Sequence, residues 1–170
     1  LETPMLCIMN HQMAVATKAS RVCRATNRPV SEFGSRRAHG PWAATYGAKA
    51  AIIAGCSSTS NILAGTMYDY GSTGTMAHSY VTAFGCSVEG EHKAFDTYIK
   101  THKGEPLILL IDTYDTLRCG ILNAIRSFKE NGIDDTYQWG YGIRLDSGDL
   151  AYLSMECREI LDRNGLKGCK

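Results

Sequence analysis

The residues able to do chemistry are not spread evenly along the chain. Glu32-Phe33-Gly34-Ser35-Arg36-Arg37, Asp112-Thr113-Tyr114-Asp115-Thr116 and Arg144-Leu145-Asp146-Ser147-Gly148-Asp149 each follow a run of strand type. Guanidinium groups grip phosphate in a fork, and carboxylates hold ribose hydroxyls or a magnesium ion, so three such strand ends suit a phosphorylated sugar. A carboxylate after a strand also reads as a helix N-cap, and that alternative stands for Asp112, Asp146, Asp149 and Thr116. Arg36 and Arg37 have a plain alternative as a solvated or partner-facing pair. In a fourth stretch, Gly74-Thr75-Met76-Ala77-His78-Ser79, a glycine-led loop opens a helix and offers backbone N–H groups to an anion. His78 in that loop is placed to carry a proton or a phosphoryl group, although a histidine in a loop is more often structural. His11, His39, His92 and His102 lack comparable surroundings and read as surface or packing residues.

The elements that must position these groups alternate between strand and helix. Pro106 to Ile111 is a continuous apolar run, as in a strand buried on both faces. Leu117, Ile121, Leu122, Ile125 and Phe128 then recur on one helical face, ended by Asn131-Gly132. A second strand spans Tyr141 to Leu145, and a second helix carries Leu150, Leu153, Cys157, Ile160 and Leu161 before Asn164-Gly165. Upstream, Met5 to Thr26 reads as helix and Val30 to Phe33 as a short strand. Trp42, Tyr46, Ala50 and Ile53 mark a helix closed by Gly55, and His92, Phe95 and Ile99 mark another. Residues 56–90 read mostly as loops around short elements. Strand, helix, strand, helix, repeating about every 30 residues, implies parallel strands joined by helical crossovers. A barrel is favoured over an open doubly wound sheet, and no G-x-G-x-x-G follows a strand. The whole chain is expected to form part of one α/β-barrel catalytic domain, with the active site on the rim at the carboxyl ends of the strands.

Composition narrows the function classes. The chain has 170 residues, 44% hydrophobic and 21% charged, enough for a packed core of ordinary size. A formal net charge of +1 supplies no global field to attract nucleic acid or an anionic membrane. Seven scattered cysteines with no C-x-x-C pair suggest neither a zinc site nor a redox dithiol, and point to a reducing cytoplasm. There is no run of eighteen apolar residues and no signal peptide opening the chain, so a soluble protein is expected. The chain opens at Leu1 in a helical pattern and closes just past Gly165, so both ends read as cuts in a longer protein.

The four stretches, together with Ser58-Thr59-Ser60-Asn61, resemble the nicotinate phosphoribosyltransferase family in order and spacing, from residue 32 to 149. The resemblance implies a partial (β/α) barrel of the nicotinate/quinolinate phosphoribosyltransferase type. It implies attack of nicotinate on phosphoribosyl pyrophosphate, giving nicotinate mononucleotide and pyrophosphate for NAD synthesis. ATP hydrolysis would be coupled through a phosphohistidine, with Mg²⁺ accompanying the phosphorylated substrates and no metal held by the protein alone. His78 matches the phosphorylated residue and Asp112 the acid that orients it, since a carboxylate on one ring nitrogen leaves the other as nucleophile. Phe33 matches the aromatic that stacks on the pyridine ring, and Arg36 a cation near the base and phosphates. Arg144 and Asp146, with Ser147 and Gly148 beside them, match residues that contact base and ribose. Where nicotinamide-using relatives carry an aspartate, Ser60 carries no charge to repel the nicotinate carboxylate.

The resemblance also implies a homodimer with shared active sites, together with an N-terminal region and a later glycine-rich phosphate loop that this sequence does not include. Three rivals follow. One is a nicotinamide-using relative. Another is a barrel hydrolase or aldolase in which Asp112, Asp115, Asp146 and Asp149 bind a divalent metal. The last is a non-catalytic binding or regulatory fragment.

Overall fold

The computed structural model describes all of residues 1–170, and the chain divides into two compact units, 1–74 and 75–170. Both are mixed α/β, and every strand pairing in them is parallel, as the alternation of elements predicts.

The first unit opens with helix α1 (Glu2–Arg24). Pro4 is tolerated because it falls in the first turn, where backbone N–H groups have no helical partner. Glu2 at the start and Arg21 and Arg24 at the end match the polarity of the helix. Strand β1 (Ser31–Glu32) follows, then a single 3-10 turn (Ser35–Arg37) and helix α2 (Pro41–Ile53). Strand β2 (Ser58–Thr59) lies parallel to β1, pairing Ser31 with Ser58 and Glu32 with Thr59, before helix α3 (Ile62–Tyr68). Asn61 caps α3 by accepting a hydrogen bond from the Ala64 amide at 3.0 Å.

Helix α2 turns an unexpected side inward. Trp42, Tyr46 and Ile53 are exposed, and the buried face is made of Ala44, Thr45, Gly47, Ala48, Ala50 and Ala51. Small residues let α1 come close: a Cβ on Gly47 would stand 3.4 Å from the His11 ring, and His11 Nε2 bonds the Ala43 carbonyl at 2.9 Å.

The second unit is built on a pair of β-α steps. Short helix α4 (His78–Thr82) leads to α5 (Val88–Thr101), capped by the Ser87 hydroxyl accepting from Gly90 N at 3.0 Å. Strand β3 (Leu107–Leu110) is followed by a π turn (Thr116–Gly120) and helix α6 (Ile121–Glu130). Strand β4 (Tyr141–Arg144) leads to α7 (Leu150–Arg163). Strands β3 and β4 pair in parallel, Leu107 with Tyr141 through Leu110 with Arg144. On the other side of β4, Ile143 N donates to Lys170 O at 2.9 Å and Lys170 N to Tyr141 O at 3.0 Å, again the parallel pattern.

Leu107, Leu109, Leu110 and Ile111 are buried, and α5 and α6 cover them with Phe95, Ile99, Ile121 and Phe128. Each fully buried phenylalanine contributes about 2–3 kcal/mol, and Phe128 meets Tyr141 edge-on at 5.1 Å. Two expectations need correction. Leu122 is 51% exposed rather than on the inner face of α6. The extra residue of the π turn rotates the register between Leu117 and the helix proper, so one continuous 3.6-residue stripe does not describe both. The turn also brings Gly120 against the end of β3, where a Cβ would lie 1.8 Å from the Ile111 carbonyl oxygen.

No helix is long and apolar enough to cross a membrane. All seven cysteines are free thiols, with Cys23 and Cys56 in contact at 3.8 Å. Burial first, and then the neighbouring Cys23 thiol, push Cys56 up to about 11.

Candidate active site

The site in the second unit gathers on the rim where β3 and β4 end. Asp112 stands two residues past β3, and its side chain is only 2% exposed. Its Oδ2 accepts from the Asp146 amide at 3.0 Å and from the Ser147 hydroxyl at 2.6 Å. One carboxylate thus ties the loop after β3 to the loop after β4. Its other oxygen, Oδ1, is buried without a hydrogen-bond partner.

His78 approaches that oxygen from the first turn of α4. Its Nε2 lies 4.0 Å from Asp112 Oδ1 and 3.6 Å from Asp146 Oδ2, within ion-pair range of both but beyond hydrogen-bonding distance. The contact that fixes the ring is on the opposite side, where Nδ1 is 3.2 Å from the Thr113 hydroxyl. At 40% exposed, the imidazole remains open to solvent and to a reactant. In a neutral ring the proton belongs on the nitrogen that faces negative charge, so two carboxylates favour Nε2–H and leave the lone pair on Nδ1.

Arg144, the last residue of β4, completes the cluster. It bonds Asp146 Oδ1 through Nη2 at 2.8 Å and grips the Thr75 hydroxyl through Nη1. Since Thr75 belongs to the loop that carries His78, the guanidinium holds that loop to the rim. Gly148 has φ +81, a left-handed turn suited to glycine, just before Asp149 caps α7 by accepting from Tyr152 N at 3.1 Å.

The residues predicted from sequence therefore fall into two sets. His78, Asp112, Arg144, Asp146 and Ser147 come together in the second unit, with Gly148 in the adjoining turn. Phe33, Arg36 and Ser60 belong to the first unit, where they follow the paired strands β1 and β2. Glu32 organises that end: Oε2 accepts from the Thr59 hydroxyl at 2.6 Å, Oε1 from the Gly34 amide, and its carbonyl from Ser60 N at 2.9 Å. Phe33 is half-buried and Arg36 exposed.

The helix-cap alternative is realised at Asp149. At the π turn the cap is Asp115, which accepts from Leu117 N and Arg118 N at 3.1 and 2.9 Å, and not Thr116. With Asp115 and Asp149 committed to caps, the four aspartates do not form a ligand shell. No group of three or more His, Cys, Asp or Glu residues is arranged to hold a metal ion. Sequence reasoning missed the two hydroxyl partners, Thr75 and Thr113. Both lie inside the singled-out stretches, but nothing in their type distinguishes them from neighbouring polar residues.

No family model matches the chain. It is 47% identical over 171 aligned positions to the nicotinate phosphoribosyltransferase of Bacillus subtilis, covering 100% of this chain and 33% of that protein. It is 42% identical over 168 positions to a nicotinate phosphoribosyltransferase of Mycobacterium tuberculosis, covering 98% and 34%. The crystal structure of human nicotinic acid phosphoribosyltransferase superposes with a TM-score of 0.81 at 27% identity, over 96% of this chain and 41% of that one. The chain spans about a third of the length of the curated relatives it matches.

Proposed function

We infer that the chain belongs to the nicotinate phosphoribosyltransferase family, and that the protein joins nicotinate to phosphoribosyl pyrophosphate to give nicotinate mononucleotide and pyrophosphate. The observation that carries this reading is similarity along the whole chain to enzymes of that name, combined with a solvent-accessible histidine set against two carboxylates and an arginine. The purpose is NAD synthesis, in the cytoplasm, by a homodimer. The β-α steps form a sector of a (β/α) barrel, an assignment supported by the consecutive parallel order β3, β4, Lys170 without a reversal.

ATP coupling would pass through His78. With the proton on Nε2, the Nδ1 lone pair forms the N–P bond as the terminal P–O bridge of ATP breaks, and ADP leaves with that electron pair. No proton moves in this step. The ring becomes cationic, and Asp112 and Asp146 face that charge. This orientation also keeps the incoming phosphoryl anion on the side away from the carboxylates, where repulsion is least.

Arg144 would meet phosphate or base, and Asp146 the ribose hydroxyls, with Ser147 and Gly148 shaping the turn. Phe33 would stack on the pyridine ring, and Arg36 would attract the nicotinate carboxylate or a phosphate. Uncharged Ser60 favours the acid over the amide as substrate. Mg²⁺ carried on phosphate oxygens would neutralise departing charge. The carboxylate oxygens of Asp112 and Asp146 at the site are donors of the type that Mg²⁺ takes.

The test is to assay the complete gene product with nicotinate, phosphoribosyl pyrophosphate and ATP, wild type against His78→Ala. The variant should lose ATP hydrolysis and retain some ribosyl transfer. Unchanged ATP hydrolysis would remove His78 from this role. No consumption of phosphoribosyl pyrophosphate with either pyridine base would overturn the whole reading.

A further inference from the structure

We propose that Thr113 is the positioning residue for His78: its hydroxyl selects the ring orientation that presents Nδ1 to the phosphoryl donor. The proposal rests on the assignment of His78 as the phosphorylated residue and adds to it a device that neither carboxylate can supply.

Asp112 and Asp146 stand 4.0 and 3.6 Å from Nε2, too far to lock the ring by hydrogen bonding. Charge at that range decides where the proton sits, but its angular dependence is weak. A half-turn of the imidazole about its Cβ–Cγ bond exchanges Nδ1 with a carbon and swings Nε2 across to the place of the other ring carbon. Such terminal torsions are broad and nearly two-fold, so the torsion itself does not choose between the two orientations. The 3.2 Å contact from Nδ1 to Thr113 Oγ1 breaks that symmetry, because the hydroxyl finds a partner in one orientation only. With the proton on Nε2, the hydroxyl donates to Nδ1.

Thr113 is itself held in place. It directly follows Asp112, whose carboxylate is anchored to the Asp146 amide and the Ser147 hydroxyl. It also lies three residues past β3, whose core side chains are buried. The hydroxyl occupies the path of the incoming phosphorus. As the N–P bond forms, the whole Thr113 side chain must turn about its Cα–Cβ bond, taking Oγ1 off the Nδ1 lone pair, so that the hydroxyl donates to an oxygen of the phosphoryl group instead of to the ring. Valine has the same shape and lacks the O–H. Serine keeps it.

The experiment measures the single-turnover rate of acid-labile phosphate incorporation at His78 from γ-labelled ATP, in the complete protein. It compares wild type, Thr113→Val and Thr113→Ser, with ¹⁵N-histidine NMR of the unphosphorylated proteins. The valine variant should phosphorylate about tenfold more slowly, the equivalent of about 1.4 kcal/mol for one lost hydrogen bond. Binding of a non-hydrolysable ATP analogue should change by less than about twofold, and serine should restore the rate to within about threefold. The His78 Nδ1 resonance should lose its hydrogen-bond shift in the valine variant alone, which a merely structural role would not produce. Wild-type kinetics in Thr113→Val, or a serine variant as slow as valine, overturns the proposal. Absence of label on wild-type His78 instead overturns the assignment of the phosphorylated residue.

Discussion

Replacing Asp112 with asparagine separates the charge of this residue from its architecture. The amide oxygen can still accept from the Asp146 N–H and the Ser147 hydroxyl, so the bridge between the two rim loops survives. What changes is the side facing His78, where a carboxylate oxygen 4.0 Å from Nε2 becomes a neutral N–H donor. Two unit charges at that distance interact by about 4 kcal/mol at an effective dielectric of about 20. With the imidazole 40% open to solvent, half of that is a fair share, or about 2 kcal/mol. Loss of that stabilisation for the cationic phosphorylated ring predicts phosphorylation about thirtyfold slower. The assay is rapid-quench measurement of acid-labile phosphate at His78 under single-turnover conditions, alongside thermal unfolding of the same preparation. Melting should stay near wild type while the rate falls. Phosphorylation by Asp112→Asn within about threefold of wild type would refute the electrostatic argument. Asp112→Ala should lower both the rate and the melting temperature, because it also strands the Asp146 amide and the Ser147 hydroxyl.

Other consequences can be measured independently. Gly120→Ala would place a Cβ 1.8 Å from the Ile111 carbonyl, against a floor of 3.0 Å, a shortfall of 1.2 Å between backbone segments. A loss of about 3 kcal/mol or more in urea unfolding is expected, and a loss under about 1 kcal/mol would show that the π turn adjusts freely. Glu91 is buried between α5 and α6, and desolvation raises its pKa against the opposing Asn123 hydrogen bond. A raised folded-state value means its stability contribution is complete below about 4.3, the unfolded value, and declines as pH climbs through the folded one. Glu91→Gln should therefore flatten that decline and be the more stable protein at pH 8, and a decline unchanged by the substitution would exclude Glu91 as its source. Ser60→Asp should raise the KM for nicotinate about tenfold while sparing nicotinamide. An unaltered ratio between the two bases would take residue 60 out of base selection.

The elements legible in the sequence are those whose apolar pattern is long. The run from Leu107 to Leu110 and the stripe through Cys157 and Leu161 announced a buried strand and a covering helix, and both are present. Where periodicity is short or interrupted it says less. Helix α5 begins at Val88, earlier than its apolar stripe, because Gly90 in the first turn looks like a breaker and is in fact needed for close approach to the Gly85 carbonyl. Strands β1 and β2 are two residues each, too short for any alternation to register. In α2 the stripe does not map onto one face: Ala50 is buried while Trp42, Tyr46 and Ile53 are exposed, because packing against α1 favours alanine and glycine over large side chains.

At the site, charged and ring-bearing residues stand out by type, so His78, Asp112, Arg144 and Asp146 were visible as candidates. The roles of Thr75 and Thr113 depend on rotamers and on separations between residues 35 and 69 positions apart, which no local pattern encodes.

The double duty of Asp112 restricts how such an enzyme could be retuned. The same side chain that answers to the histidine also staples one loop to the next, so among single replacements only asparagine can remove its charge and keep both accepted hydrogen bonds. A directed-evolution experiment on His78 phosphorylation should accordingly find asparagine at position 112 and no smaller side chain, because the smaller ones also release the Asp146 amide and the Ser147 hydroxyl.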